Sequence, residues 1–276
     1  MIKSILVPTD GSDHAARGVR YAVALAKRSG AKLYGLHVVD IKLLEGPFLR
    51  DVSASLGTAP YVNYQGNIAL ILEERGKAAL DYFTKACEQA GVASETSQMT
   101  GVVSRCIVEE SELADLVVVG YGGEHSEWLD GLVGSTTEAL VRRAKQPVLV
   151  TATDTPGDKV FLAAYDGSAH AKRALQTAAE IGADWQMPGH VLVVDGEEAE
   201  ALLDEARAYL ETHDVAATYV SKSGDPSEVI VAYAQQCQAS LLVMGAYGHT
   251  KVRELVVGST TAYALNHAPC PLLLAR

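Results

Sequence analysis

The stretch that decides the fold is Leu241-Leu242-Val243-Met244-Gly245-Ala246-Tyr247-Gly248, followed nine residues later by Gly258-Ser259-Thr260-Thr261. A short unbroken apolar run ending at a glycine reads as a strand buried on both faces, the kind found in parallel sheets. Past Gly258, the run Ser259-Thr260-Thr261-Ala262-Tyr263-Ala264-Leu265 opens on hydroxyl residues, which suit a helix start. A helix start offers unpaired N–H groups and partial positive charge. Glycines that admit close approach, followed by such a start, are phosphate-binding chemistry. The competing reading is a plain strand-to-helix turn, and on this motif alone the two stand about even.

What tilts the balance is repetition. Leu116-Val117-Val118-Val119-Gly120 matches Leu241 to Gly245, and Gly134-Ser135-Thr136-Thr137 matches Gly258 to Thr261. The run Ile5 to Ser12, ending Asp10-Gly11-Ser12, returns at Val160 to Ser168, ending Asp166-Gly167-Ser168. Leu36-His37-Val38-Val39-Asp40 is matched to Val191-Leu192-Val193-Val194-Asp195, and Gln146-Pro147-Val148-Leu149-Val150 to Cys270-Pro271-Leu272-Leu273-Leu274. Asp10 to Asp40 spans 30 positions against 29 from Asp166 to Asp195, and Gly134 to Pro147 spans 13, as does Gly258 to Pro271. One interval differs: Asp40 to Gly120 is 80 and Asp195 to Gly245 is 50, so the first half carries about 30 extra residues. They are placed at Lys42 to Gly66, whose Gly46-Pro47, Gly57, Pro60 and Gly66 read as a long loop. Thr153-Asp154-Thr155-Pro156-Gly157-Asp158 is a polar turn between the halves, which sets domains at 1–153 and 158–276.

Each half alternates strand and helix. In the first, the strands are Ile2–Thr9, Lys32–Val39, Glu95–Met99, Leu116–Gly120 and Pro147–Thr151. The helices are Asp13–Ser29, Gly66–Ala90, Ser104–Leu113 and Thr136–Arg143. Five strands with helical crossovers give an open, doubly wound parallel sheet, so the chain is α/β with two tandem five-stranded domains. Ligands of such sheets sit at the carboxyl ends of the strands, where Asp10 and Gly120 both fall.

The chain of 276 residues has a formal net charge of -11, which argues against nucleic-acid binding over a broad surface. No run approaches 18 apolar residues, so no membrane span is expected, and the N-terminal apolar run is too short for a signal peptide. Cys87, Cys106, Cys237 and Cys270 show no paired spacing, which fits a reduced, cytoplasmic setting. His267 and Cys270 read as a helix end and a strand start in preference to a metal pair.

With these residues in hand, the sequence resembles the universal stress protein family in its tandem form. The resemblance rests on Asp-Gly-Ser after the first strand, on Gly-x2-Gly-x9-Gly-Ser/Thr, and on His267-Ala268-Pro269-Cys270-Pro271 before the closing strand. That family divides into members that bind ATP and members that lack the glycine pattern and do not. The resemblance therefore implies an adenine nucleotide in each half that keeps the pattern. In the second half, Ala164, Tyr165 and Asp166 would lie at the adenosine end, and Val193 would meet adenine through its backbone. Met244, Gly245, Gly248, His249, Gly258, Ser259, Thr260 and Thr261 would hold ribose and phosphates. In the first half the same roles fall to Pro8, Thr9, Asp10, Val38, Gly120, Gly123, Gly134, Ser135 and Thr136. There the second spacing is ten residues, and Glu124, Glu127 and Asp130 stand where the second half has His249, Lys251 and Arg253. Carboxylates repel a triphosphate unless a cation intervenes, so the first site is a weaker one, one that needs Mg2+, or one for another ligand. The family's closing strand pairs dimers, so the two halves are expected to pack as a pseudo-dimer, with a homodimer of chains as a further step. No P-loop lysine pattern and no evident base for water accompany the glycines, which favours a nucleotide-binding regulator over an ATPase.

Overall fold

The computed structural model describes residues 2–45, 61–122, 134–151, 153–194, 198–246 and 258–276, without the side chains of 44–45 and 61–67. The first half runs β1 (Ser4–Pro8), α1 (Asp13–Ser29), β2 (Lys32–Asp40), α2 (Ile41–Glu45), α3 (Tyr61–Ala90), β3 (Ser94–Gly101), α4 (Val103–Ser111), β4 (Leu116–Gly120), α5 (Ser135–Arg143) and β5 (Val148–Thr151). The second runs β6 (Phe161–Ala164), α6 (Ala169–Trp185), β7 (Gly189–Val194), α7 (Ala199–Glu211), β8 (Ala217–Lys222), α8 (Pro226–Gln236), β9 (Leu241–Gly245), α9 (Ser259–His267) and β10 (Leu272–Ala275).

Local chemistry sets these boundaries. Ser12 and Ser168 cap α1 and α6 by accepting from the N–H groups of Ala15 and Ala171. Gly30, at φ 69°, ends α1 in the left-handed conformation that glycine adopts most cheaply. Asp225 caps α8 ahead of Pro226 in its first turn. On α1, Ala15, Val19, Ala22 and Ala26 are buried at three- and four-residue spacing, the stripe a helix needs to lie on a sheet.

The strands form one ten-stranded sheet in the order β3-β2-β1-β4-β5-β10-β9-β6-β7-β8. Every pairing is parallel except β5 with β10, which is antiparallel, with Leu149 opposite Leu273. Each half is thus a doubly wound five-stranded sheet, and the two closing strands zip them into a pseudo-dimer. Leu149 and Leu273 are both fully buried, so the edge that would have been exposed in either half alone is closed within the chain. Because that pairing is antiparallel, the carboxyl edges of the two halves lie on opposite sides of the common sheet.

The insertion differs from the loop expected for it. Ile41–Glu45 is helical, and α3 begins at Tyr61, five residues ahead of Gly66; residues 46–60 lie outside those described. Ala79 lies against Gly11, as Leu202 of α7 lies against Gly167. Helix α3 starts 18 residues before that contact and α7 only 3 before its own, so α3 is longer by 15 residues at its N-terminal end. At 1.5 Å per residue that is roughly 22 Å of helix. Since α3 descends from the carboxyl end of β2, the extension overhangs the carboxyl edge of the first half. Glycine and proline do stop a helix elsewhere, but Gly66 is accommodated inside a helix thirty residues long.

The seam gives a direct test. Leu149→Ala and Leu273→Ala should each lower unfolding free energy by about 2–5 kcal/mol in urea titrations. Because the two side chains are partners, the double variant should depart from the sum of the singles, whereas Leu149→Ala with Leu203→Ala, far apart, should be additive.

Candidate functional site

The site is built where β1, β2 and β4 end in the first half, and where β6, β7 and β9 end in the second. Strand β1 stops at Pro8, and Thr9 continues its line for one more bond, its N–H donating to the Leu36 carbonyl at 2.8 Å. Tyr165 does the same after β6, donating to the Leu192 carbonyl at 2.9 Å. The chain then turns away at Asp10 and Asp166. Each carboxylate accepts from the N–H two residues on, Ser12 at 2.9 Å and Ser168 at 3.0 Å. Gly11 and Gly167 take positive φ, 82° and 73°, to make that turn. Asp10 and Asp166 are exposed, on a shelf between strand end and helix start.

These bonds also fix which peptide groups face the crevice. Leu36 and Leu192 are equivalent, which moves the register of the second half by one from the sequence match of Leu36 with Val191. Backbone groups alternate sides along a strand. The residues two beyond, Val38 and Val194, therefore turn their N–H and C=O toward the space past the ends of β1 and β6. Val193 turns its own toward β8 and is buried; its counterpart is His37, also buried. His37 Nδ1 lies 2.9 Å from the Thr9 carbonyl, which can only accept, so Nδ1 carries the proton. Val194 was missed because apolar runs align equally well one residue apart; the constant spacing of 26 from Asp10 to Leu36 and from Asp166 to Leu192 is the signal that finds it.

The opposite wall comes from the Gly-Ser-Thr-Thr motifs. Gly134 and Gly258 are N-cap residues of α5 and α9, and neither helix has a side-chain cap. Ser135 and Ser259 are exposed, and Thr136 and Thr260 half-buried. Thr137 and Thr261 are buried instead, and their hydroxyls donate to the carbonyls of Gly120 at 3.3 Å and Ala246 at 3.0 Å. The last threonine of each motif thus pins the helix start to the strand end, leaving the serine and first threonine to face outward.

The glycines divide by role. A Cβ on Gly120 would lie 2.2 Å from the His14 carbonyl oxygen, and one on Gly245 2.9 Å from Ala171 N. These two are glycines because the first turns of α1 and α6 press on them. Gly258 is different: φ is -56°, and a Cβ there meets nothing described nearer than Thr261 Oγ1 at 3.8 Å. Neither conformation nor packing among the described residues requires a glycine at that position. Gly123, Gly248 and His249 lie outside the described residues, as do Glu124, Glu127, Asp130, Lys251 and Arg253. Pro8, Thr9, Asp10, Val38, Gly120, Gly134, Ser135 and Thr136 come together in the first half. Ala164, Tyr165, Asp166, Met244, Gly245, Gly258, Ser259, Thr260 and Thr261 do so in the second.

Tyr165 is buried, and that burial, with the Glu205 carboxylate beside it, pushes its phenol well above the ordinary range. Glu205 is itself paired to Lys172 at 2.6 Å. The phenol is therefore neutral at any physiological pH. Among the described residues no cluster of three or more His, Cys, Asp or Glu is placed to hold a metal ion, and no helix is long and apolar enough to cross a membrane.

A tandem doubly wound chain with glycine-and-hydroxyl helix starts at its strand ends defines a class, and comparison with known proteins agrees with it. The family model described as "Universal stress protein family" matches residues 1–152 and 193–276. Universal stress protein Slr1230 of Synechocystis is 30% identical over 287 residues, with both chains fully covered. Universal stress protein Rv2005c of Mycobacterium tuberculosis is 27% identical over 82% of this chain and 85% of its own. In fold, the crystal structure of a universal stress protein from Archaeoglobus fulgidus covers 99% of this chain and 98% of its own, with a TM-score of 0.79 at 22% identity. The chain belongs to the universal stress protein family, in its tandem two-domain form.

The two kinds of glycine are separable by experiment. Gly120→Ala should lower unfolding free energy by about 1–3 kcal/mol, because the methyl must displace the backbone of α1. Gly258→Ala should change it by no more than about 1 kcal/mol. Chemical denaturation of the two variants beside the parent checks both.

Proposed function

We propose that this chain is a nucleotide-responsive regulatory protein that grips an adenine nucleotide, ATP in the first instance, at the carboxyl ends of its strands, best in the second half. The observation that carries the reading is Gly258: a residue kept without a side chain at the head of an uncapped helix, beside a strand end, with nothing described close enough to demand it. A phosphate group needs that combination of open space, convergent N–H groups and positive helix end. Ser259 and Thr260 are placed to donate hydroxyl protons, and the sequence motif assigns Gly248 and His249 to the same site. Asp166, with Ala164 and Tyr165, marks the adenosine end, and the Val194 peptide, next to Val193, offers a donor and an acceptor for the base.

The working units are 1–153 and 158–276. In the first, Pro8, Thr9, Asp10, Val38, Gly120, Gly123, Gly134, Ser135 and Thr136 are the corresponding set. The carboxylates Glu124, Glu127 and Asp130 weaken a polyphosphate site there unless Mg2+ offsets them. Binding is favoured over turnover because, among the described residues, Asp10 and Asp166 are engaged in their own turns and the Tyr165 phenol stays protonated, so none of these three is placed as a general base. The alternatives are a slow ATPase and an interaction protein that binds no nucleotide and whose first half takes another ligand. Four unpaired thiols, Cys87, Cys106, Cys237 and Cys270, suit a reducing cytoplasm. A homodimer of chains would need a surface other than the β5–β10 seam, which is already taken.

Equilibrium dialysis with labelled ATP tests the proposal. Gly258→Val should cut ATP affinity of the second half at least tenfold while far-UV circular dichroism stays unchanged. Parent protein that binds no ATP at millimolar concentration rules the reading out. Phosphate release should stay below roughly 1 s⁻¹, the low end of ordinary enzymes.

A further inference from the structure

The antiparallel seam has a consequence for the two phosphate-facing helices. Each runs back from the carboxyl edge of its own half to the amino edge, and the amino edge of one half adjoins the carboxyl edge of the other. Helix α9 therefore starts at the second crevice and ends beside the first. A continuous chain of hydrogen bonds joins its two ends. The N–H of Gly134, N-cap of α5, donates to the Tyr121 carbonyl at 3.3 Å. The Tyr121 hydroxyl donates to Asn266 Oδ1 at 3.0 Å, across 145 positions of sequence. Asn266 Nδ2 donates to the Ala262 carbonyl at 2.9 Å, and the Ala262 N–H donates to the carbonyl of Gly258, N-cap of α9, at 2.8 Å. Tyr121 is also anchored to the seam, its N–H donating to the Thr151 carbonyl at 2.9 Å.

We infer that Tyr121 and Asn266 couple the two crevices, so that a nucleotide held in the first raises affinity in the second. The inference rests on the nucleotide reading above. Its physical content is pre-organisation. A phosphate seated on the first turn of α5 fixes Gly134 and with it Tyr121. Tyr121 then holds the far end of α9, whose first turn has less freedom left to lose when it receives its own phosphate. The second half does not repeat this hydroxyl–amide bond; there the far end of α5 is held by Arg276, whose guanidinium donates to the Arg142 carbonyl. Ala246 stands at the place of Tyr121 in the second half, and Arg142 at the place of Asn266, and a methyl group cannot make the bond. By linkage the effect is reciprocal in equilibrium binding even though the contact is one-sided.

Calorimetric titration of ATP into the full chain tests this, with Tyr121→Phe, Gly134→Val and the parent compared. The parent should bind two equivalents with positive cooperativity. Gly134→Val, its first crevice obstructed, should bind one, roughly two- to tenfold more weakly than the second crevice of the parent, the span expected for one neutral hydrogen bond. Tyr121→Phe, which keeps the ring and loses the hydroxyl, should still bind two equivalents but without cooperativity. Should Gly134→Val fail to fold, the comparison of the parent with Tyr121→Phe decides alone, supported by amide resonances of Ser259 and Thr260 that shift in Tyr121→Phe before any ligand is added. Two independent sites in the parent, negative cooperativity, or cooperativity that survives in Tyr121→Phe would overturn the coupling and leave the nucleotide reading standing. One equivalent in the parent would overturn it likewise. No binding heat at all would remove both.

Discussion

The pairing of β5 with β10 is the constraint from which the rest of the architecture follows. It is the single antiparallel contact in a sheet that is otherwise parallel. A parallel join would have put both carboxyl edges on one side and both crevices in one row. The antiparallel join turns the second half over, so each crevice looks out from its own edge, and α5 and α9 each span from one edge toward the other. The join is made by Val148, Leu149 and Val150 against Leu272, Leu273 and Leu274, all of them buried. Hydrophobic burial is non-directional, but the ladder bonds are not. The leucines supply the drive and the backbone supplies the orientation.

Within each half, a second constraint is the closeness of helix and strand at the crevice floor. The first turn of α1 presses on Gly120 from one side, and Gly18 of the same helix would meet the Gly120 nitrogen at 2.9 Å if it carried a Cβ. Backbone on backbone leaves no room for a side chain on either. The same pressing occurs between Gly245 and α6. This contact sets the depth of the crevice floor relative to the shelf carrying Asp10 or Asp166. It also changes what the glycine motif means. Gly120 and Gly245, two of its six glycines, answer to the protein's own packing, which leaves Gly258 and the uncapped helix starts as the described part that packing does not require.

Much of this was legible in the sequence. Apolar runs ending at glycine, helices flanked by Ser and Gly, and the internal repeat were enough to give two doubly wound sheets and the place where their ends converge. Three things were not. The insertion reads as a loop because Gly66, Pro60 and Gly57 are strong local breakers, but α3 is held by its packing against β2 and outlasts two interior glycines, Gly66 and Gly76. The peptide group that faces the second crevice belongs to Val194, a detail fixed by the β6–β7 register, which a run of identical valines hides. The hydroxyl of Thr261 looks like its neighbours in sequence, yet its helical position turns it inward to Ala246. In each case the missing information is tertiary: which neighbour a residue packs on, or which side of a strand its backbone faces.

The two halves also carry an argument in their differences. At the helix starts they match group for group: glycine N-cap, exposed serine, half-buried threonine, and a buried threonine bonded to the strand end. At the opposite end of the crevice they diverge. Thr9 corresponds to Tyr165 and His37 to Val193, and the overhang of α3 has no counterpart in α7. The buried Tyr165 in the second half fills space beneath α7 and ties to Glu205, while in the first half His37 holds the Thr9 carbonyl under the longer helix. Both ends of the crevice rest on the same scaffold of strands, and the division is the one expected if both halves hold the same charged fragment at the helix start and differ in how they hold what is attached to it. The backbone N–H groups of a helix start recognise a phosphate whatever it carries. On the proposed reading, discrimination between the halves would fall to the shelf beyond β1 and β6, where the side chains differ.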